Sequence, residues 1–334
     1  MQHSAPRHAS RPADWFNGGE LLSRMTKLAI RPVDKAEVKI GDFAPWAWLP
    51  DEAPLDMPRQ SLTCDQARAD NTPDTSPAGV AGRRLMLLVG TVVLTGLSAI
   101  APFYLYARKG WDPTEMLAFA IFMVLITAIA CWFTSGLMGL MVMLRGKDQA
   151  DLDFAPHPPT PRTRTALLMP LYNEDARASF ARLSMIDASL ARLGASSAFD
   201  IFVLSDSTKE EAAADECAVF QTFPQQANSK AFFRPRAGNA ERKAGNLAEW
   251  VRRFGGAYET MIVLDADSTM AGETLLRMVD AMERNPGVGL IQTAPVIVKA
   301  RTIFARVSQY SVRLYGRAAA AGLAYWTGSE SSYW

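Results

Sequence analysis

Two long stretches without a charged side chain dominate the hydrophobic pattern of this chain, Leu85 to Ala107 and Met116 to Leu144. Each is long enough to cross the roughly 30 Å hydrocarbon core of a bilayer as a helix. Arg83 and Arg84 precede the first run, Arg108 and Lys109 follow it, and Arg145 and Lys147 close the second. With the turn Gly110-Trp111-Asp112-Pro113 between them, the runs predict a transmembrane helical hairpin over residues 83–146. A pair of buried helices in a large soluble core is the alternative, and the run lengths exceed what a core helix needs. Arg68, Arg83, Arg84, Arg145, Lys147, Arg162 and Arg164 outnumber the basic pair in the loop, which places both outer ends in the cytosol.

On either side of the hairpin the pattern changes. Residues 1–82 are Pro-rich and polar with no sustained apolar period, and read as a largely flexible cytosolic segment. Within it, Trp15, Leu21, Leu22, Met25, Leu28 and Ile30 recur at helical spacing, with Asn17 and Glu20 as a capping pair. That helix suits a membrane surface or packing on a later domain equally. Ala53-Pro54-Leu55-Asp56-Met57-Pro58 is an extended piece to which composition assigns no role.

After a stiff linker, His157-Pro158-Pro159-Thr160-Pro161, strands and helices alternate. Strands are expected at Ala166–Leu171, Asp200–Leu204, Met261–Leu264 and Val288–Thr293. Helices are expected at Ala176–Leu193, Lys209–Phe220, Glu241–Phe254 and Thr274–Glu283. This alternation predicts right-handed βαβ units, hence an α/β domain over 147–334 with a mostly parallel sheet. A last amphipathic helix, Phe304 to Leu314, is suited to a membrane surface or to core packing.

Composition narrows the function. Lys and Arg total 35 against 34 Asp and Glu, a net charge of +1, which argues against nucleic acid as a partner. Cys64, Cys131 and Cys217 are scattered, and only His3, His8 and His157 accompany them, so neither a zinc site nor a disulfide framework is supported. The polar start, with Arg7, Arg11 and Asp14, lacks the apolar core of a secretory signal, and the amino terminus is expected to stay in the cytosol.

The candidate chemistry sits at predicted strand ends, where open α/β sheets bind ligands. Asp265 and Asp267 lie two apart past the Met261–Leu264 strand, so both carboxylates are able to face one site. Two hard oxygen donors suit a Mg²⁺ or Mn²⁺ ion that also holds a diphosphate. Taken alone, the pair is better explained by a helix cap beside a solvated turn residue, and the rest of the chain reverses that preference. Tyr172-Asn173-Glu174 closes the first strand and Ser205-Asp206-Ser207-Thr208 the second. Asp206 is able to accept a hydrogen bond from a nucleobase N–H while Tyr172 and Glu174 frame the nucleoside; ordinary turn chemistry is again the alternative. Lys243, in Arg242-Lys243-Ala244-Gly245-Asn246 and preceded by Lys230, Arg234 and Arg236, suits a diphosphate near a helix start, with Gly245 permitting close approach. A solvated basic face is the other reading. No Gly-rich phosphate loop of the Walker or dinucleotide type occurs, which removes ATPases and nicotinamide dehydrogenases from the front rank.

These motifs, in this order, resemble the membrane-embedded processive glycosyltransferases of family two, among them the cellulose, hyaluronan and chitin synthases. Ala53 to Leu62, the hairpin, the Arg-rich stretch before Lys243, and Arg313-Leu314-Tyr315-Gly316 are similar to the Gram-negative members that build the glucose backbone of osmoregulated periplasmic glucans. The resemblance covers the chain from about residue 30 onward. It implies an inverting, metal-dependent hexosyltransferase of the inner membrane, multi-pass, with a cytoplasmic Rossmann-like domain of GT-A type. Its partners would be UDP-glucose, a growing glucan acceptor, the bilayer and other glucan-biosynthesis proteins. By the same resemblance Asp206 would contact uracil, Lys243 the uridine or diphosphate region, and Asp265 with Asp267 a Mg²⁺ or Mn²⁺ ion on the UDP phosphates; Tyr172 and Glu174 complete the nucleotide set.

The family's catalytic base, an Asp in a Thr-Glu-Asp-like motif, and its Gln-x-x-Arg-Trp motif fall after Trp334, and Gly328 to Trp334 looks like the approach to them. The catalytic domain is therefore expected to be incomplete at its carboxyl end, binding UDP-sugar and metal poorly or moderately and without efficient polymerisation. A non-catalytic, membrane-anchored nucleotide-sugar binding protein and a polyprenyl-phosphate glycosyltransferase are the alternatives; the latter usually carry their membrane helices after the catalytic domain.

Overall fold

The computed structural model describes residues 48–57, 79–145, 155, 160–236, 238–293 and 295–328. The candidate helix Trp15–Ile30 and the linker prolines Pro158 and Pro159 lie outside them. The chain divides into two compact units, one formed by residues 1–64 with 155–283 and the other by 65–154 with 284–334.

The first unit is built on four strands, β1 Thr165–Leu171, β2 Phe199–Ser205, β3 Lys230–Pro235 and β4 Thr260–Val263. Their order is β3-β2-β1-β4 and every pair is parallel. Helices α3 Ala176–Arg192, α4 Glu210–Thr222, α5 Arg242–Phe254 and α6 Gly272–Arg284 connect and cover them. Alternation along the strands decides which helix covers which face. Leu167, Met169 and Leu171 of β1 pack with Ile201, Val203, Phe233 and Ile262 beneath Phe180 and Leu183 of α3, Phe220 of α4 and Leu275 of α6. Ala166 and Leu168 join Phe202 and Leu204 beneath Trp250 and Phe254 of α5. With both faces covered, the strands carry apolar residues at nearly every position. The expected Rossmann-like parallel sheet is present.

Phe202 centres the second face. It is fully buried, with its ring centroid 4.9 Å from Phe232, 5.2 Å from Trp250 and 5.7 Å from Tyr258. Phe202→Ala leaves a cavity among rings that cannot collapse into it, and a loss of about 3–5 kcal/mol in denaturant unfolding is expected.

One strand was not expected, and one expected strand needs correction. Lys230–Pro235 pairs in parallel with β2, although its Lys, Arg and Pro read as a basic stretch rather than a strand. Proline is tolerated there because Pro235 ends the strand at the sheet's edge. Val288–Thr293 forms no strand; it runs without regular structure, with Leu290 69% exposed. An apolar run preceded by Pro286 and Gly287 and interrupted by Gly289 needs a neighbouring strand to become one, and among the described residues it joins none of the four strands of the sheet.

The piece around Ala53, without an assignable role in the sequence, is a strap across the end of α5. Ala53 N–H donates to Arg253 O at 2.9 Å and Leu55 N–H to Arg252 O at 3.2 Å, satisfying two of the carbonyls that a helix end leaves unpaired. Gly256 N–H returns a bond to Ala53 O at 2.9 Å. Arg253 pairs with Glu52 at 2.7 Å, and Trp48 sits edge-on to Phe220 and Phe233.

The second unit contains α1 Val80–Lys109 and α2 Pro113–Leu144, the predicted hairpin. Their apolar side chains face outward, as with Leu88, Val92 and Val124 at 59, 61 and 71% exposure, unlike helices of a soluble core. Asp112 starts α2 by accepting from the Thr114 and Glu115 N–H groups at 2.7 and 2.8 Å, with Glu115 completing a capping box. Trp111 packs with Phe103, Tyr106 and Phe119 at the turn, an aromatic group of the kind that sits at membrane interfaces.

The expected helix Phe304–Leu314 is α7 Ile303–Ser311, continuing through a π-helical turn, Val312–Gly316, into α8 Arg317–Thr327. None of α7 is buried, so among the described residues it does not pack into a core. α8 lies backbone to backbone on α2: a Cβ at Gly139 would fall 1.9 Å from Ala318 O, and one at Gly322 1.9 Å from Ser135 O. Arg83 and Arg84 donate to the last carbonyls of α8, Tyr325 O and Thr327 O, both at 3.2 Å.

Candidate functional site

The turns at the carboxyl edge of the sheet are bonded to one another strand by strand. Asp206 N–H donates to Leu171 O at 2.9 Å, and Arg236 N–H to Ser205 O at 2.9 Å, so the ladder runs past the ends of β1, β2 and β3. Asn173 holds the first turn to the second. With φ 55° it lies in the left-handed region, which Asn tolerates better than most residues. Its N–H donates to Ser207 Oγ at 2.7 Å, and its Oδ1 accepts from the N–H groups of Thr208 and Lys209 at 3.1 and 3.0 Å.

Tyr172, half exposed, leaves this turn on the solvent side. Its hydroxyl's hydrogen bonds, first with Thr208 and then with Asn239, hold the phenol below its usual pKa, with the Arg242 charge adding to the effect. Glu174 lines a cavity of about 340 Å³ with Asp175, Lys209 and Asp215, beside the starts of α3 and α4.

Asp206 is 3% exposed, and its carboxylate takes Arg236 in both oxygens, Nε at 2.7 Å and Nη2 at 2.6 Å. Such a bidentate pair fixes both groups in one plane. Arg236 also donates to Ala240 O at 2.9 Å. One layer deeper, Arg234 is 1% exposed, donates to Asn246 O at 3.0 Å and meets Glu249 at 3.3 Å. Burial pulls its pKa below the usual guanidinium value, against the opposing charges of Glu249 and Asp206. Asn246 in turn donates to Leu204 O at 3.1 Å, so these two side chains fasten α5 to the β2–β3 edge.

That attachment aims the first turn of α5. Glu241 and Arg242 both occupy left-handed conformations, φ 57° and 52°, each costing on the order of 1–3 kcal/mol in residues with a Cβ. Gly245 permits the sharp entry, since a Cβ there would lie 2.3 Å from Ala240 O. Lys243, on this turn, extends its ammonium to the Asp265 carboxylate. Both side chains remain at least half exposed.

Asp265 and Asp267 stand on a turn and not on an extended strand, because β4 ends at Val263. Alternation along a strand therefore does not orient them; the turn does. Ser268 N–H donates to Asp265 O at 3.0 Å, and Arg182 of α3 holds the Ala266 carbonyl at 2.7 Å. Among the described residues no cluster of three or more His, Cys, Asp or Glu forms a self-sufficient metal cage. Two exposed carboxylates fit Mg²⁺ or Mn²⁺ in the manner of ions that complete their shell with phosphate oxygens and water.

Asp206, Lys243, Asp265 and Asp267, together with Tyr172, thus lie at the sheet's carboxyl edge or on the helix start beside it, with Glu174 on the same turn as Tyr172. Lys243 meets Asp265 directly; Asp206 meets Arg236, a partner the sequence reading left among a group of basic residues. Asn173 and Asn246 stood inside the quoted motifs without a role of their own, and Glu216, described below, stood in none, since nothing in a polar residue's identity announces what it bonds to.

The sequence profile of glycosyl transferase family 2 matches residues 166–330, from β1 past the end of α8. This chain carries a glycosyl transferase family 2 domain. Three bacterial relatives named glucans biosynthesis glucosyltransferase H extend the similarity across the hairpin. That of Caulobacter vibrioides (strain NA1000 / CB15N) is 46% identical over 288 residues, covering 86% of this chain and 43% of the relative. That of Xanthomonas euvesicatoria pv. vesicatoria is 43% identical over 289 residues, covering 86% and 45%. That of Xylella fastidiosa is 42% identical over 292 residues, covering 86% and 46%. The chain thus spans less than half the length of these relatives. A mannosyltransferase from Pyrobaculum calidifontis, solved with GDP-Man and Mn²⁺, overlaps 47% of this chain and 42% of its own at 21% identity and a TM-score of 0.33. An overlap of that extent says nothing of this chain's ligands. The family 2 domain places Asp206, Lys243, Asp265 and Asp267 within the matched span.

Proposed function

We propose that this chain supplies the donor-binding part of an inner-membrane glucosyltransferase that uses UDP-glucose to build a periplasmic glucan backbone. The reaction is inverting and metal-dependent, and the domain faces the cytoplasm. The observation that carries this reading is the pairing of charges at the sheet edge: Asp206 with Arg236, and Lys243 with Asp265 beside Asp267. A nucleoside diphosphate presents the matching groups, an N–H for a carboxylate and two phosphates for cations and a metal. The names of the relatives support glucose as the sugar and a glucan as the product.

On this reading Asp206 accepts the uracil N–H through a carboxylate whose orientation Arg236 fixes by its two hydrogen bonds. Tyr172 and Glu174 border the nucleoside. Lys243, released from Asp265, moves its charge onto the diphosphate, and Asp265 with Asp267 are the residues that would hold Mg²⁺ or Mn²⁺. Such an ion would supply neutralisation of the charge that grows on the departing UDP. Inversion at the sugar carbon needs a carboxylate base on the acceptor's side. None of the residues at this edge is assigned that part.

Calorimetric titration of the detergent-purified chain tests the reading. UDP and UDP-glucose are expected to bind at least about tenfold more tightly with Mn²⁺ than without it, and GDP to bind more weakly than UDP. A folded chain that binds neither uridine nucleotide overturns the assignment.

A further inference from the structure

Glu216 is a wholly buried carboxylate, at 0% exposure, that belongs to none of the motifs above. It projects from the inner face of α4 beneath the turn that follows β2. Among the described residues its partners are two hydroxyls and no cation: Ser205 donates to Oε2, and Ser207 to Oε1 at 2.5 Å. Those serines stand immediately before and after Asp206. The chain of bonds continues outward. Ser207 Oγ accepts the Asn173 N–H, and Asn173 Oδ1 accepts from Thr208 and Lys209, so one carboxylate underlies both the Asp206 turn and the Tyr172–Glu174 turn.

Packing alone does not account for an acid at this point. A buried carboxylate without a cation costs several kcal/mol, and an apolar side chain of similar volume would fill the space without that cost. Burial here raises the carboxyl pKa, which the two serine hydrogen bonds only partly oppose, while the Asp206 and Glu174 charges push the same way as burial. What the acid supplies and a leucine does not is a pair of acceptors at fixed spacing for two hydroxyls of one turn.

We propose that Glu216 is a positioning residue of the nucleotide site, acting through Ser205 and Ser207 to fix Asp206 and, through Asn173, the Tyr172–Glu174 turn. The proposal rests on the nucleotide-binding reading above. Glu216→Leu removes the acceptors and the buried charge together; Glu216→Gln keeps two polar atoms for the serines. In Glu216→Leu, thermal stability is expected to hold or rise, while UDP affinity measured with Mn²⁺ falls about tenfold, the scale of one lost hydrogen bond to a charged group. Glu216→Gln is expected to recover most of that affinity. Hydrogen exchange of peptides covering 172–176 and 206–210 gives a readout that needs no ligand. Protection there is expected to drop in Glu216→Leu and to persist in Glu216→Gln. Unchanged exchange in Glu216→Leu, unchanged affinity, or a loss of affinity that merely follows a loss of thermal stability each overturns the proposal. If the parent chain binds no UDP while exchange responds as expected, the nucleotide reading falls and takes the positioning role with it, leaving a clamp between two turns.

Discussion

Asp267→Asn is expected to abolish the gain in UDP affinity that Mn²⁺ confers while leaving metal-free binding unchanged. Residues that only orient a metal ligand change metal affinity by about 10–100-fold, so loss of a carboxylate that itself ligates is expected to exceed about 100-fold. Asp265→Asn loses the same metal dependence but behaves differently without metal. Asp265 also holds Lys243 in the free site, and its neutralisation releases an ammonium that is at least half exposed. Metal-free UDP binding is then expected to strengthen by a few-fold, because a freed cation meets the diphosphate without first leaving a partner. Titrations of the two variants with and without Mn²⁺ separate the effects. Equal metal-free affinities in both would mean that the Lys243–Asp265 pair does not compete with nucleotide, and retained Mn²⁺ dependence in both would remove this turn from the metal site.

The second large effect is expected in the membrane-type helices. Gly139→Ala places a methyl group 1.9 Å from Ala318 O, and no rotamer relieves a clash between Cβ and backbone. Overpacking commonly costs 1–3 kcal/mol, and a backbone contact belongs at or above the upper end, about 3 kcal/mol. Gly96→Ala is the control. It sits in α1 with open space around a built Cβ, and is expected to gain up to about 1 kcal/mol from helix propensity. Thermal unfolding in detergent, with cleavage after Arg313 or Arg317 by trypsin as a local readout, is expected to show opposite signs for the two variants. If Gly139→Ala melts like its parent and resists trypsin equally, α8 does not depend on this contact.

The sequence made some of this legible because physics concentrates the signal. A sheet covered on both faces needs apolar strands, and Ala166–Leu171 and Asp200–Leu204 announced themselves by that run; the acidic residues just past them fell where ligands bind. Lys230–Pro235 escaped because its strand character comes from pairing with β2, while its own residues include Lys, Arg and Pro. Val288–Thr293 misled for the converse reason, an apolar run that joins none of the sheet's four strands among the described residues. The turn at Asp265–Ser268 illustrates a finer limit: the two carboxylates were visible, but what orients them is Arg182, more than 80 residues earlier in the chain. Glu216 lay beyond reach altogether, since a glutamate on a helix is ordinarily solvated and only the fold turns this one inward.

The strap over α5 also counts membrane crossings. Ala53 precedes α1 and Arg253 follows α2, yet their backbones share a hydrogen bond within one compact unit. A chain that departs from such a contact and returns to it must pass any bilayer an even number of times. Insertion of α1 alone as a single span is incompatible with the folded first unit. Reporters fused ahead of Trp48 and within the sheet domain must therefore read out the same compartment, whichever compartment that is.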